Sequence, residues 1–388
     1  MANAWTDILF HIGREKHFDG VVKKIPANID CVIYNGDHLI MLAAEELIQF
    51  DNEVPSDEDI ISKIKQYIVD NIETVVLYSV NPSAYCIFNN MQSTDSISND
   101  IRHMFGPGSD RHKSITNMVS KTEGDFITKM HSIIRYNDKN IIVVDNSDMT
   151  LLAMLYRQKK EGVKLYYSKN IALKVVIDVT ILRTKLHNIT HDYSRSGFTD
   201  ILFILPLTIL TGIPNLVAYQ TSVKISKFIE ILSYKNEARG NIFSNGVLNT
   251  NTFHRYMEIL AEKEVESTSS LMISLHNHKE SSPFDPETTE FNEYSAAYYA
   301  LDDIVSDSKD KILLVISYIS ALMHIAAYCA GKTKYVQNKF VEAPLAGDIC
   351  SVLKTLLKHE RLRPREKSYI KVAYNTRTFN RYPILEPA

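Results

Sequence analysis

The stretch spanning residues 123–155, EGDFITKMHSIIRYNDKNIIVVDNSDMTLLAML, limits the folds open to this chain more than any other. It reads as helix, turn, buried strand, acidic turn, helix. Glu123 and Asp125 stand at a helix start, where acidic side chains suit the positive end of the helix dipole. Ile127, Met130, Ile133 and Ile134 recur at helical spacing. Tyr136-Asn137-Asp138-Lys139 is a turn cluster. Residues 141–144 form a β-branched apolar run of the kind found in strands covered on both faces. Asp145-Asn146-Ser147-Asp148 follows at once. In open α/β sheets the chemistry lies just beyond the carboxyl ends of the strands. Acidic pairs about twenty residues apart can therefore meet at one edge and hold divalent metal. Two solvated helix N-caps would leave the same pattern.

Bulk composition does not choose between these readings. The 388 residues allow one large domain or two, and 45% hydrophobic with 23% charged residues is ordinary for a globular protein. A formal net charge of -3 announces no nucleic-acid binder. Cys31, Cys86, Cys329 and Cys350 are scattered with no CxxC, which argues against a disulfide framework or a zinc site and for a reducing, cytoplasmic compartment. No signal peptide is expected at the N-terminus. The apolar runs 201–219 and 312–330 are long enough to span a bilayer. Pro206, Gly212 and Pro214 interrupt the first and His324 the second, so both read as buried core helices and no membrane partner is expected.

Along the chain, residues 1–25 carry a helical pattern. Strands are predicted over 29–34, 74–80 and 141–144, with short β segments at 164–167 and 172–177. Helices are predicted over 39–50, 60–72, 178–186, 198–210, 222–234, 250–264, 312–330 and 349–357. Residues 83–103 read as polar and helical, Gly106-Pro107-Gly108-Ser109 as a break, and 265–310 as a polar loop or insert. Strands alternate with helices early and helices dominate late. This predicts an α/β protein with a parallel sheet and a mostly helical C-terminal half.

The order of motifs resembles the Xrn-type 5′→3′ exoribonucleases, a branch of the flap-endonuclease and PIN-like nucleases. EGDFITKMHSIIR is similar to the family's acidic helix motif, approximately GEGEHKIMxYIR. NSDMTLLAML resembles DADLIMLxL, and TDILFILPLTILTGIPNLVAYQTSVKI resembles DFVFLCxLxGNDFLPHxPxLxI. NGVLNTNTFHRYMEILAEKE is similar to the segment that follows, VEAPLAGDI to YAPLxSDI, and MFGPGSD to ITPGTxF. Together these matches cover roughly residues 28–357. The resemblance implies a Rossmann-like parallel sheet flanked by helices, with an acidic two-metal site at its edge. It implies a nuclease-fold domain over 1–264 and a helical region over 311–357 like the family's second characteristic region; composition adds the polar insert at 265–310 and a basic, aromatic arm over 358–388.

The departures from the family pattern fall on its chemistry. The first family aspartate falls on Asn35, with Asp37 two positions on. The second falls on Asn81. Glu123 and Asp125 are present. The DxD pair becomes Asn146-Ser147-Asp148, preceded by Asp145. The late GND becomes Gly212-Ile213-Pro214, with Ile213 inside the altered motif. Asparagine keeps the shape of aspartate without its charge, so metal affinity should fall severely. The family's basic helix for a 5′-phosphate corresponds to residues 82–95, which contain no Lys or Arg, so no charge-assisted phosphate cradle is expected. The resemblance with these departures implies a pseudo-nuclease that needs no cofactor. The alternative is an active, Mg²⁺-dependent nuclease that uses Glu123, Asp125 and Asp148, joined by Asp37 and Asp145 in a rearranged site.

Two further features bear on partners. The tail carries Arg361, Arg363, Arg365, Lys367 and Arg377 with Tyr369 interleaved, a mixture that suits single-stranded RNA or an acidic protein surface. An arm folded back on its own domain fits equally. The expected role is a structural, interaction or RNA-binding component of a larger assembly, for which a viral source would be a natural home. His187 and His191 share i,i+4 spacing but have no evident third ligand, and they read as surface residues.

Overall fold

The computed structural model describes residues 18–51, 58–63, 83–88, 115–119, 125–136, 140–157, 163–190, 230–244, 247–277 and 344–360, with isolated positions elsewhere, among them several between 312 and 329. The chain divides into two compact units. One is Met1–Lys185 with Tyr328–Val336, and the other is Leu186–Ala327 with Gln337–Ala388.

Among the described residues the first unit holds seven strands: β1 (Val22–Lys24), β2 (Cys31–Asn35), β3 (Ser83–Phe88), β4 (Ile115–Val119), β5 (Ile141–Val144), β6 (Leu165–Ser168) and β7 (Val175–Asp178). They lie in the order β1-β7-β6-β5-β2-β3-β4. Strands β4, β3, β2, β5 and β6 run parallel to one another. Strand β7 runs antiparallel to both β6 and β1. The sheet is therefore mixed, where an all-parallel sheet was predicted. The reason is the short link from β6 to β7, which carries only a 3-10 turn at Ile171–Leu173. A parallel return needs a crossover of a dozen residues or more, so this link can only turn back.

Alternation along the strands fills both faces. Val32, Tyr34, Ile142, Val144, Tyr166 and Val176 pack into one cluster with Leu39, Ala43, Ile25 and Ile61. Their neighbours Cys31, Ile33, Ile141, Val143, Leu165, Tyr167 and Ile177 are buried as well. Period-two projection with burial on both sides is why β5 reads as a continuous apolar run.

Among the described residues, β2, β5 and β7 lead straight into helices. Helix α1 (Gly36–Asp51) follows β2, and Asn35 Oδ1 accepts from the Asp37 N–H at 3.2 Å. Helix α3 (Asp148–Arg157) follows β5, with the Ser147 carbonyl accepting from Thr150 N and Leu151 N. Helix α4 (Val179–Thr190) follows β7, and Asp178 Oδ1 accepts from Thr180 N at 3.0 Å and Ile181 N at 3.1 Å. Polar caps at strand ends thus replace loops. Helix α2 (Asp125–Tyr136) precedes β5 and buries Phe126, Ile127, Met130, Ile133 and Ile134, the stripe expected from the sequence. His131 Nε2 lies 2.8 Å from the Cys329 carbonyl, tying residue 329 into this unit.

Three local expectations are corrected, and one strand lies where none was predicted. Residues 22–24 form edge strand β1 rather than helix. Residues 83–88 form β3 rather than the start of a polar helix. Pro82 lies just before that strand, and a proline that opens a strand sacrifices no ladder bond inside it. Strand β4, ITNMV, escaped the apolar-run criterion through its Thr and Asn. Residues 265–277 continue a helix rather than begin the polar insert. The predicted segments 74–80 and 278–310 lie outside the described residues.

In the second unit, α5 (Thr250–Asn277) packs against α6 (Ala346–Glu360). Phe253, Tyr256, Met257 and Leu260 are buried along one stripe of α5, and Ile349, Val352 and Leu353 along α6. Asn249 caps α5, its Oδ1 accepting from Thr252 N at 3.2 Å. A two-stranded ladder, β8 (Phe243–Ser244) with β9 (Val247–Leu248), precedes it. Among the described residues no helix is long and apolar enough to cross a membrane.

Candidate functional site

The sheet topology itself marks one place. From β2 the chain moves outward to β3 and β4, then crosses back to β5 on the other side of β2. The crevice beyond the carboxyl ends of β2 and β5 is thus the topological switch point, where ligands bind in open α/β sheets. Tyr34 is paired with Val144 in the parallel register, so Asn35 and Asp145 leave the two strands side by side.

The two residues are bonded to each other. Asn35 Nδ2 donates to Asp145 Oδ1 at 3.0 Å. The Asn146 N–H donates to the same oxygen at 2.7 Å, and Thr150 Oγ1 donates to Asp145 Oδ2 at 2.5 Å. Asp145 is buried, with 3% of its surface exposed. Burial pushes its carboxyl above the ordinary range. The Thr150 hydrogen bond, the His38 charge and the bonds from Asn146 and Asn35 pull the other way without cancelling that effect. His38 is buried beside it, with Nε2 3.0 Å from the Lys169 carbonyl. A carbonyl only accepts, so Nε2 carries the proton.

This donor set suits a self-contained polar cluster better than a divalent cation. Magnesium needs open carboxylate oxygens. Here both Asp145 oxygens face protein donors, and the Asn35 amide points hydrogen atoms at the carboxylate. The described residues of the crevice therefore do not fit a pair of metal ions. Asp37 sits in the first turn of α1 at the same edge. Asn146 also lies at the edge, and its Oδ1 is buried with no hydrogen-bond partner among the described residues.

The sequence-derived candidates distribute as follows. Asn35, Asp37, Asp145 and Asn146 come together at the switch point. Asp125 and Asp148 are the first residues of α2 and α3. Glu123, Asn81, Ile213, Arg361, Arg363, Arg365, Lys367, Tyr369 and Arg377 lie outside the described residues. Asn81 precedes β3, whose carboxyl end is at Phe88. His38 and Thr150 were not singled out from the sequence. The signal for Thr150 was its place in the first turn of a helix that starts at a strand end.

Compared with known proteins, the chain matches no family model and no curated protein.

Proposed function

We propose that this chain is a catalytically inactive protein on a PIN and flap-nuclease-like fold, serving as a structural, interaction or RNA-binding component of a larger assembly. One observation carries the reading. The Asn35 amide bonds to Asp145 at the switch point, where a nuclease would set carboxylates around metal. An amide–carboxylate bond needs no cation to hold it, whereas two apposed carboxylates need a cation or a shared proton. The order of the five parallel strands supports the fold half of the reading. Counted along the chain, they lie third, second, first, fourth, fifth, which puts the crevice between the first and fourth.

The test is incubation of the full chain with 5′-monophosphorylated RNA and Mg²⁺ or Mn²⁺. The expected result is intact RNA, the same for the protein and for Glu123→Gln. Processive loss of RNA that Glu123→Gln abolishes would overturn the reading in favour of an active, rearranged acidic site. Salt-dependent RNA binding without cleavage assigns the RNA-binding form of the role, and no binding assigns the protein-interaction form.

A further inference from the structure

Helix α5 carries His254 and Glu258 one turn apart, and α6 carries Cys350 against them. His254 Nδ1 lies 3.5 Å from Glu258 Oε2. His254 Nε2 lies 3.5 Å from Cys350 Sγ. One ligand atom from each of the three residues lies within 4.8 Å of the other two. The His254 side chain is 12% exposed and the Glu258 side chain 48%, so the cluster is sheltered at the imidazole and open at the carboxylate.

The spacing and the chemistry together indicate a ligand. Zinc bonds of about 2.3 Å to sulfur and about 2.0 Å to nitrogen, at a tetrahedral angle, set those two atoms roughly 3.5 Å apart. The Cys350–His254 pair already has that separation. Glu258 is half exposed and can turn from Nδ1 toward the same point with little repacking. A thiolate, an imidazole and a carboxylate form a borderline-soft set that favours Zn²⁺ over Mg²⁺ or Ca²⁺. An i,i+4 pair on one helix face is a recurrent way to present two metal ligands.

We propose that Cys350 Sγ, His254 Nε2 and the Glu258 carboxylate form a three-ligand site for a zinc-class divalent ion. The ion staples α5 to α6, and its fourth position is open to water. Binding takes the thiol as thiolate and releases its proton to solvent. All three residues belong to the second unit, whereas Cys31, Cys86 and Cys329 are buried in the first. The proposal is therefore independent of the reading given to the switch point.

Titration of the full chain with Co²⁺ under reducing, chelator-free conditions tests it. The expected result is a near-ultraviolet thiolate-to-cobalt band with visible bands of tetrahedral Co²⁺, saturating at one ion per chain and displaced by Zn²⁺. Cys350→Ser should abolish the near-ultraviolet band. His254→Gln and Glu258→Gln should each weaken binding about tenfold or more. Zinc should raise the Tm of the unsubstituted protein and not that of Cys350→Ser. No near-ultraviolet band in the unsubstituted protein, or a band that survives Cys350→Ser, overturns the proposal. The first of those results needs no variant to fold.

Discussion

Asn35 Nδ2 donates to Asp145 Oδ1 at 3.0 Å, while Asn35 Oδ1 accepts from the Asp37 N–H at 3.2 Å. The second bond fixes the sense of the first. A backbone N–H only donates, so the amide must turn its oxygen to α1 and its NH₂ to Asp145. One side chain thus caps a helix and ties β2 to β5.

Asn35→Asp keeps the cap and inverts the tie. The new carboxylate would face Asp145 at about 3 Å, where like charges in a buried setting cannot both ionise cheaply. In EDTA at neutral pH the variant should lose about 2–4 kcal/mol of stability. Millimolar Mn²⁺ should restore part of the loss, because a cation can then bridge the pair. Melting curves with and without Mn²⁺ measure both effects, and an unshifted Tm in EDTA would show that the bond carries little.

Asp145 gives the pH dependence. Its folded carboxyl titrates above its ordinary value of 3.8 because it is buried. In the window between those two values the folded state holds more protons than the unfolded one, so stability falls as pH rises through it. Asp145→Asn removes that slope. Its Oδ1 can still accept from Asn35 and Asn146, and the Thr150 hydroxyl can rotate from donor to acceptor toward the new amide. The variant should be at least as stable as the unsubstituted protein at pH 7, with the advantage vanishing near pH 3. A Tm series over that range checks it. A variant that is less stable at pH 7 would mean that the His38 charge and the three donors outweigh burial.

Much of this site was legible in the sequence, and the illegible part has definite causes. The strand at 141–144 and its two helices were readable because burial on both faces leaves an unbroken apolar run and α2 keeps a strict stripe. Asn35 and Asp145 were both noticed. Their direct pairing was not, because it depends on the register Tyr34 to Val144, and register is a property of two strands. Strand β3 was missed because Pro82 reads as an end when it is a beginning. The His254–Glu258–Cys350 cluster stayed hidden because cysteine spacing speaks only for ligands near each other in sequence. Here the thiol arrives from a helix 96 residues away.

Two buried tyrosines should respond in opposite ways to loss of their hydroxyls. Tyr34 OH is buried without a hydrogen-bond partner among the described residues, whereas Tyr256 OH donates to the Ile231 carbonyl at 3.1 Å. Both rings are essentially fully covered. Tyr34→Phe removes a desolvated hydroxyl and should leave stability unchanged or raise it by about 1 kcal/mol. Tyr256→Phe forfeits a made bond to the Ile231 carbonyl, costing about 1 kcal/mol. Thermal denaturation of the pair, measured side by side, separates the two cases.

The second unit holds a charged pair that should be costly to halve and cheap to remove whole. Lys235 Nζ lies 3.5 Å from Asp200 Oδ2, and the two side chains are 4% and 0% exposed. The Ile242 N–H also donates to Asp200 Oδ2 at 2.8 Å. Lys235→Met removes the cation 3.5 Å from a fully buried carboxylate, and should cost about 3–5 kcal/mol. Asp200→Asn in the same chain removes the carboxylate charge as well, and its amide oxygen can keep the bond from Ile242. The double variant should therefore be more stable than Lys235→Met alone. The coupling read from the full double-mutant cycle should exceed about 1 kcal/mol. Strict additivity would mean that the two charges are held by other neighbours and that their proximity is incidental.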